Sequence, residues 1–186
     1  LKVENGGTIG PRNQILTIGG ETLIESGGTL DFTDAAGIFD TDGTFSANGG
    51  GIITFTAAGT LRLKAETPIL GSNADFTEGT GTVVYDRAGN QNIVAITYNN
   101  LEFGGNGNKV GAGTLDVDGN LTITNGNLTF AVSNTVLDLE GNFSMAAGTF
   151  VPGNSDLHNV AGSWNDVGGT FTPTNGTIVL SGNTPQ

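Results

Sequence analysis

Glycine and asparagine return along this chain at a nearly fixed spacing. The successive intervals between Gly37, Gly59, Gly81, Asn100, Gly119, Gly141, Gly162 and Gly182 are 22, 22, 19, 19, 22, 21 and 20. Most of these landmarks open a short phrase that leads into a large apolar residue: GTLRL from Gly59, GTVVY from Gly81, GNLTI from Gly119, GNFSM from Gly141 and GSW from Gly162. Self-similarity at a period of about 21 residues predicts stacked repeats, in which no unit buries its apolar face alone and neighbours cover one another.

A second rhythm of seven lies inside the first. It links Gly119 to Gly126, Gly141 to Gly148, and Gly162 to Gly169 and Gly176. Three sevens make one period, so a coil reads as three short strands joined by three tight turns. Leu121-Thr122-Ile123, Leu128-Thr129-Phe130 and Leu137-Asp138-Leu139 alternate apolar and polar residues. That pattern sends the flanking residues inward and the middle one outward. Gly and Asn at the corners are expected to supply the positive φ of sharp turns. Apolar residues do not recur at helical spacing. The fold expected is all-β: a β-solenoid, specifically a three-faced parallel β-helix of about eight coils with a repeat of about 21–22 residues. An antiparallel sandwich also has many short strands, but its strands need not resemble one another one period apart.

Stacking coils at this period predicts columns of side chains. One runs Leu16, Phe39, Leu61, Val83, Leu101, Leu121, Phe143, Trp164. A second runs Ile18, Thr41, Leu63, Tyr85, Phe103, Ile123, Met145, Asp166, interrupted at Thr41 and Asp166. A third runs Leu128, Phe150, Phe171. Trp164 is expected in the core. Between Asn90 and Asn108 two shorter coils meet, which predicts a changed cross-section, a bulging turn or simple drift between repeats. Residues 1–186 read as a single repeat domain, a fragment of a longer repetitive chain.

Glycine makes up 32 of the 186 residues, yet 36% of the chain is hydrophobic and in register, which argues for packing over disorder. Eighteen acidic residues against six basic ones give a net charge of −12. The basic residues are scattered, and only Arg62 and Lys64 share a strand face. A nucleic-acid partner, which needs clustered Lys and Arg, is therefore not expected. With no cysteine, the chain has no disulfide framework, thiolate zinc site or thiol nucleophile. No apolar run approaches the roughly 18 residues of a membrane helix, so membrane insertion through a helix is not expected.

Two stretches, YDRAGNQNIVAITYNNLEF and GSWNDVGGTFTPTNGTIVLSGNTPQ, carry a family resemblance. They resemble the Gly/Thr/Asn-rich repeat regions of large secreted or cell-surface adhesin-like proteins of Bacteroidota, many exported by the type IX pathway. Gly162-Ser163-Trp164-Asn165 with Gly169-Thr170-Phe171-Thr172-Pro173 matches one phrase of that family. Gln91, Ile93 and Tyr98-Asn99-Asn100-Leu101 match another. The likeness covers most of residues 80–186 and brings no catalytic residue with it. It implies an extracellular or cell-surface stalk, adhesin or filament.

Little in the chain suggests chemistry. His158, the single histidine, reads as a surface imidazole. Ser155 and Asp156 beside it complete the residue types of a triad, but without a nucleophile elbow. Asp116 and Asp118 flank Val117, and one period later Asp138 and Glu140 flank Leu139 in the same way. Stacked coils turn these into a two-by-two carboxylate patch, a candidate calcium site and the only metal site expected. Asp40–Gly43, DTDG, is a fragment of an EF-hand loop that lacks the later ligands. Two carboxylates at strand spacing also meet the distance requirement of glycoside hydrolysis, which keeps a polysaccharide-binding or -cleaving β-helix as the alternative. Thr-x-Thr pairs do not stack from coil to coil, which argues against an ice-binding ladder. The function expected is structural and non-catalytic, with no cofactor required beyond possible calcium. The expected partners are further coils, like subunits end to end, and surface glycans.

Overall fold

The computed structural model describes residues 1–73, 75–111, 113–130, 135–154 and 157–182. The fold is an all-β parallel β-solenoid of about eight turns with a repeat of about 21 residues. Among the described residues there is no helix. Contacts divide the chain into two units, Leu1–Val84 and Tyr85–Gln186.

In the first unit three coils each contribute one strand to each of three faces, and Phe76–Thr77 of the next coil extends one of them. One face holds Lys2–Val3, Thr22–Ile24 and Phe45–Ser46. The next holds Thr8–Ile9, Thr29–Asp31, Ile52–Thr54 and Phe76–Thr77. The third holds Ile15–Ile18, Ile38–Thr41 and Thr60–Leu63. Leu16 pairs with Phe39 and Phe39 with Leu61, while Ile18 pairs with Thr41 and Thr41 with Leu63. Phe39, Leu61 and Leu63 are fully buried, and so is Thr41, whose hydroxyl points at the Gly43 carbonyl. Phe32 stacks on Phe55 at 4.3 Å between ring centres.

The second unit repeats the plan. Asn100–Phe103, Leu121–Ile123, Phe143–Met145 and Trp164–Asp166 form one face. Gln91–Ile93, Asn108–Gly111, Asn127–Thr129, Thr149–Val151 and Thr170–Phe171 form another. Thr97–Tyr98, Thr114–Val117, Val136–Leu139, Leu157–Val160 and Thr177–Leu180 form the third. All these pairings are parallel. The register puts Leu101, Leu121, Phe143 and Trp164 in one file and Leu128, Phe150 and Phe171 in another. Leu121, Leu128, Phe143 and Phe150 have no exposed surface. Burying side chains of this size contributes about 1.5–3 kcal/mol each.

The corners differ from expectation in their cause. Among the described residues, Arg12 is the single non-glycine with positive φ, so asparagine does not supply the left-handed turns. Nor do the landmark glycines. A Cβ on Gly141 would collide with the carbonyl of Gly119, and one on Gly162 with that of Gly141. These glycines are required because consecutive corners nearly touch. Two of the glycines that follow at the interval of seven do take left-handed turns, with φ of 76° at Gly126 and 81° at Gly148, whereas Gly169 and Gly176 do not.

Asparagine instead forms ladders. The Asn120 backbone N–H donates to Asn100 Oδ1 at 3.0 Å, the Asn142 N–H to Asn120 Oδ1 at 3.1 Å, and the Ser163 N–H to Asn142 Oδ1 at 2.9 Å. The side-chain amides of Asn120 and Asn142 donate to the same oxygens. Each rung satisfies a corner N–H that the strand ladder cannot reach.

Candidate functional site

The register places Asp116 opposite Asp138 on adjacent strands, one coil apart. Neutral donors on the flanking coils take up both carboxylates. Thr97 Oγ1 donates to Asp116 at 2.9 Å, and Asn159 Nδ2 to Asp138 at 3.2 Å. Asp118 and Glu140 follow their strands at the corner, and their backbone N–H groups donate to the Tyr98 and Val117 carbonyls. Among the described residues no group of three or more His, Cys, Asp or Glu side chains is gathered to hold a metal ion. In the first unit the DTDG carboxylates meet a cation of the chain itself. Lys64 Nζ lies 3.2 Å from Asp40 and 2.6 Å from Asp42.

His158 is not a surface residue. It is fully buried, and its imidazole stacks on Phe130 at 5.5 Å. Nδ1 accepts a 3.1 Å hydrogen bond from the Leu137 N–H, which fixes that nitrogen as the unprotonated one. Ser155 and Asp156 lie outside the described residues. The burial follows from the period: His158 stands one turn beyond Leu137, an inward position of the same face.

Two further buried polar groups occupy the shorter coils. Lys109 falls in the apolar file, paired with Gln91 before it and Leu128 after it, and has no exposed surface. Its Nζ donates to the carbonyls of Arg87 at 2.6 Å and of Gly89 and Asn106 at 3.5 Å. The ammonium thus ties two corners from inside. Burial pushes it down to about 8, against the pull of Asp86 and with the repulsion of Arg87.

The second group is a closed ring of hydrogen bonds. The Val94 N–H donates to Tyr85 Oη at 3.0 Å, Tyr85 and Tyr98 share a 2.8 Å contact, and Tyr98 Oη donates to the Val94 carbonyl at 2.7 Å. Tyr98 gives its proton to Val94, so Tyr85 is the donor between the two phenols. Burial raises Tyr85 to about 12 and Tyr98 well above its ordinary value. These two groups are the interior of the stretch that the sequence marks as irregular, and they fasten its turns rather than present chemistry to solvent.

An accessible feature of the second unit is the open side of its last described coil. Trp164, Phe171, Ile178 and Leu180 line one concavity there. They pair with Phe143, Phe150, His158 and Val160 of the coil before, all 0% exposed, whereas Leu180 is 45% exposed and Trp164 half-buried. Trp164 is therefore less enclosed than its column predicts. It stacks on Phe143 at 4.1 Å and meets the edge of Phe171 at 5.6 Å, with its other side toward the concavity. Compared with protein-family models, with curated proteins and with solved structures, the chain gives no match.

Proposed function

We propose that this chain is a non-catalytic structural module of an extracellular stalk, adhesin or filament, whose working surface is the coil face itself. The observation that carries the reading is the pairing just described. Four inward positions of the last described coil continue files that are wholly buried one coil earlier. A parallel strand edge with an apolar lining fits a further coil, from the same repeat or from a like subunit, because backbone pairing and column packing extend together. The location draws its support from the resemblance of residues 80–186 to cell-surface repeats.

Sedimentation velocity over a concentration series tests the stacking surface. Wild-type chain associates as concentration rises, and Trp164→Asp, which puts a charge into the concavity, stays monomeric. A wild-type chain that is monomeric at its solubility limit removes the subunit-stacking reading. Antibodies against the chain label the outside of intact producing cells if the location is right; signal only after lysis refutes it.

A further inference from the structure

At one corner of the second unit a backbone nitrogen rests against a side-chain amide that it is able to attack. Asn-Gly occurs at Asn5-Gly6, Asn48-Gly49, Asn106-Gly107, Asn125-Gly126 and Asn175-Gly176. Glycine after asparagine leaves the peptide nitrogen unhindered, so all five share the same intrinsic chemistry. The fold separates three of them. The Gly6 N–H is held by the Gly27 carbonyl at 2.9 Å, and the Gly176 N–H by Thr174 Oγ1 at 3.2 Å. The Gly126 N–H donates to Oδ1 of Asn125 itself, at 2.8 Å. Oδ1 is about 1.2 Å from Cγ, so the nitrogen lies no more than about 4 Å from that carbon, a short movement from the roughly 3–3.5 Å at which bonds form.

The carboxamide is also oriented. Asn125 Nδ2 donates to Asn106 Oδ1 of the preceding coil at 3.0 Å, which fixes the plane of the amide. Asn125 is exposed, so water reaches the group, while Gly126 is buried at φ 76° and holds its nitrogen in place.

We propose that Asn125 is a site of self-modification, converting through a cyclic imide to aspartate and isoaspartate. The Gly126 nitrogen bonds to Cγ of Asn125, the Cγ–Nδ2 bond breaks, and ammonia leaves with the proton that the nitrogen gives up. Water then adds to either carbonyl of the imide. One opening leaves a normal aspartate, and the other an isoaspartate whose main chain runs through the former side chain. Both products lose the Nδ2 donor to Asn106, and the aspartate also places a carboxylate against that acceptor. The isoaspartate also lengthens the backbone at a corner where the Gly126 carbonyl lies directly against Gly148 of the next coil. The site acts as a clock on the coil stack.

Peptide mapping with electron-transfer fragmentation, which separates aspartate from isoaspartate, tests this on the whole 186-residue chain. Native protein is incubated at mildly alkaline pH alongside protein unfolded in concentrated urea. In urea the conversion rates at Asn5, Asn125 and Asn175 are alike, with ratios of about one. In the native chain Asn125 converts about fivefold or more faster than Asn5 and Asn175. Any native ratio above the urea ratio supports the proposal. A native ratio equal to or below the urea ratio overturns it.

Discussion

Raising the pH above neutrality is expected to stabilise this protein, and one residue is responsible. Lys109 titrates at about 8 in the folded chain against the ordinary 10.5. Between those values the unfolded chain binds the proton and the folded chain does not. Stability therefore rises with pH across the window, reaching its full gain above the unfolded value. The cost of holding the ammonium inside is present in full below about pH 8 and worth about 3 kcal/mol. Integrated from ~pH 7.5 to ~pH 9.5, the gain is about 2 kcal/mol, or a rise of about 4–8 °C in melting temperature. No thiol interferes, since the chain has no cysteine. Lys109→Met fills the same file with an uncharged side chain. Urea melts of both proteins at the two pH values measure the difference. Wild type is expected to gain the full amount, and the variant less than about a quarter of it. Parallel pH profiles for the two proteins would refute the reasoning.

Other consequences are as direct. Gly141→Ala forces a methyl into the Gly119 carbonyl and is expected to cost about 1–3 kcal/mol. Gly19→Ala, where a Cβ meets nothing within 4 Å, is expected to be neutral or slightly stabilising; thermal melts separate the two. Tyr98→Phe removes the phenol that donates to the Val94 carbonyl and is expected to cost about 1–3 kcal/mol, with faster hydrogen exchange at the Val94 amide. In wild type, Tyr85 keeps its proton to about 12 while the unfolded phenol loses it near 10. Stability should therefore decline between those values in an alkaline melt series, and Tyr85→Phe should flatten the decline. Asn120→Ala removes a rung that accepts from Asn142 and donates to Asn100. It is expected to cost about 1–2 kcal/mol in urea, while Asn120→Asp, which keeps the acceptor, costs less.

The glycine ladder carried the coil period and one complete face. The file Leu121, Phe143, Trp164 is read correctly because landmark residues sit immediately before it and count out the register. The face of Val136–Leu139 and Leu157–Val160 has no such marker, so His158 reads as a loop imidazole although it stands one full period beyond the inward Leu137. Lys109 is hidden by its chemistry. Stepping back by the shorter local interval from Leu128 leads to it, but a lysine argues against an inward position unless its carbonyl partners are known. The asparagine ladder is invisible to any reading that treats each turn alone, since its bonds join successive turns of the coil. For the carboxylates, sequence established the facing of Asp116 and Asp138. It had no means of showing that Thr97 and Asn159, from coils on either side, are the groups that answer them.

Among the described residues of each unit, a strand pairs with the strand one turn before it or one turn after it. Duplicating or deleting a whole turn of the gene therefore leaves the surviving strands matched, while differences in length between turns, such as the offsets of 19 from Asn108 to Asn127 and 22 from Asn127 to Thr149, are taken up at the corners. Such a chain is free to change its length by unequal recombination in steps of about 21 codons, and its relatives should differ by integral numbers of turns.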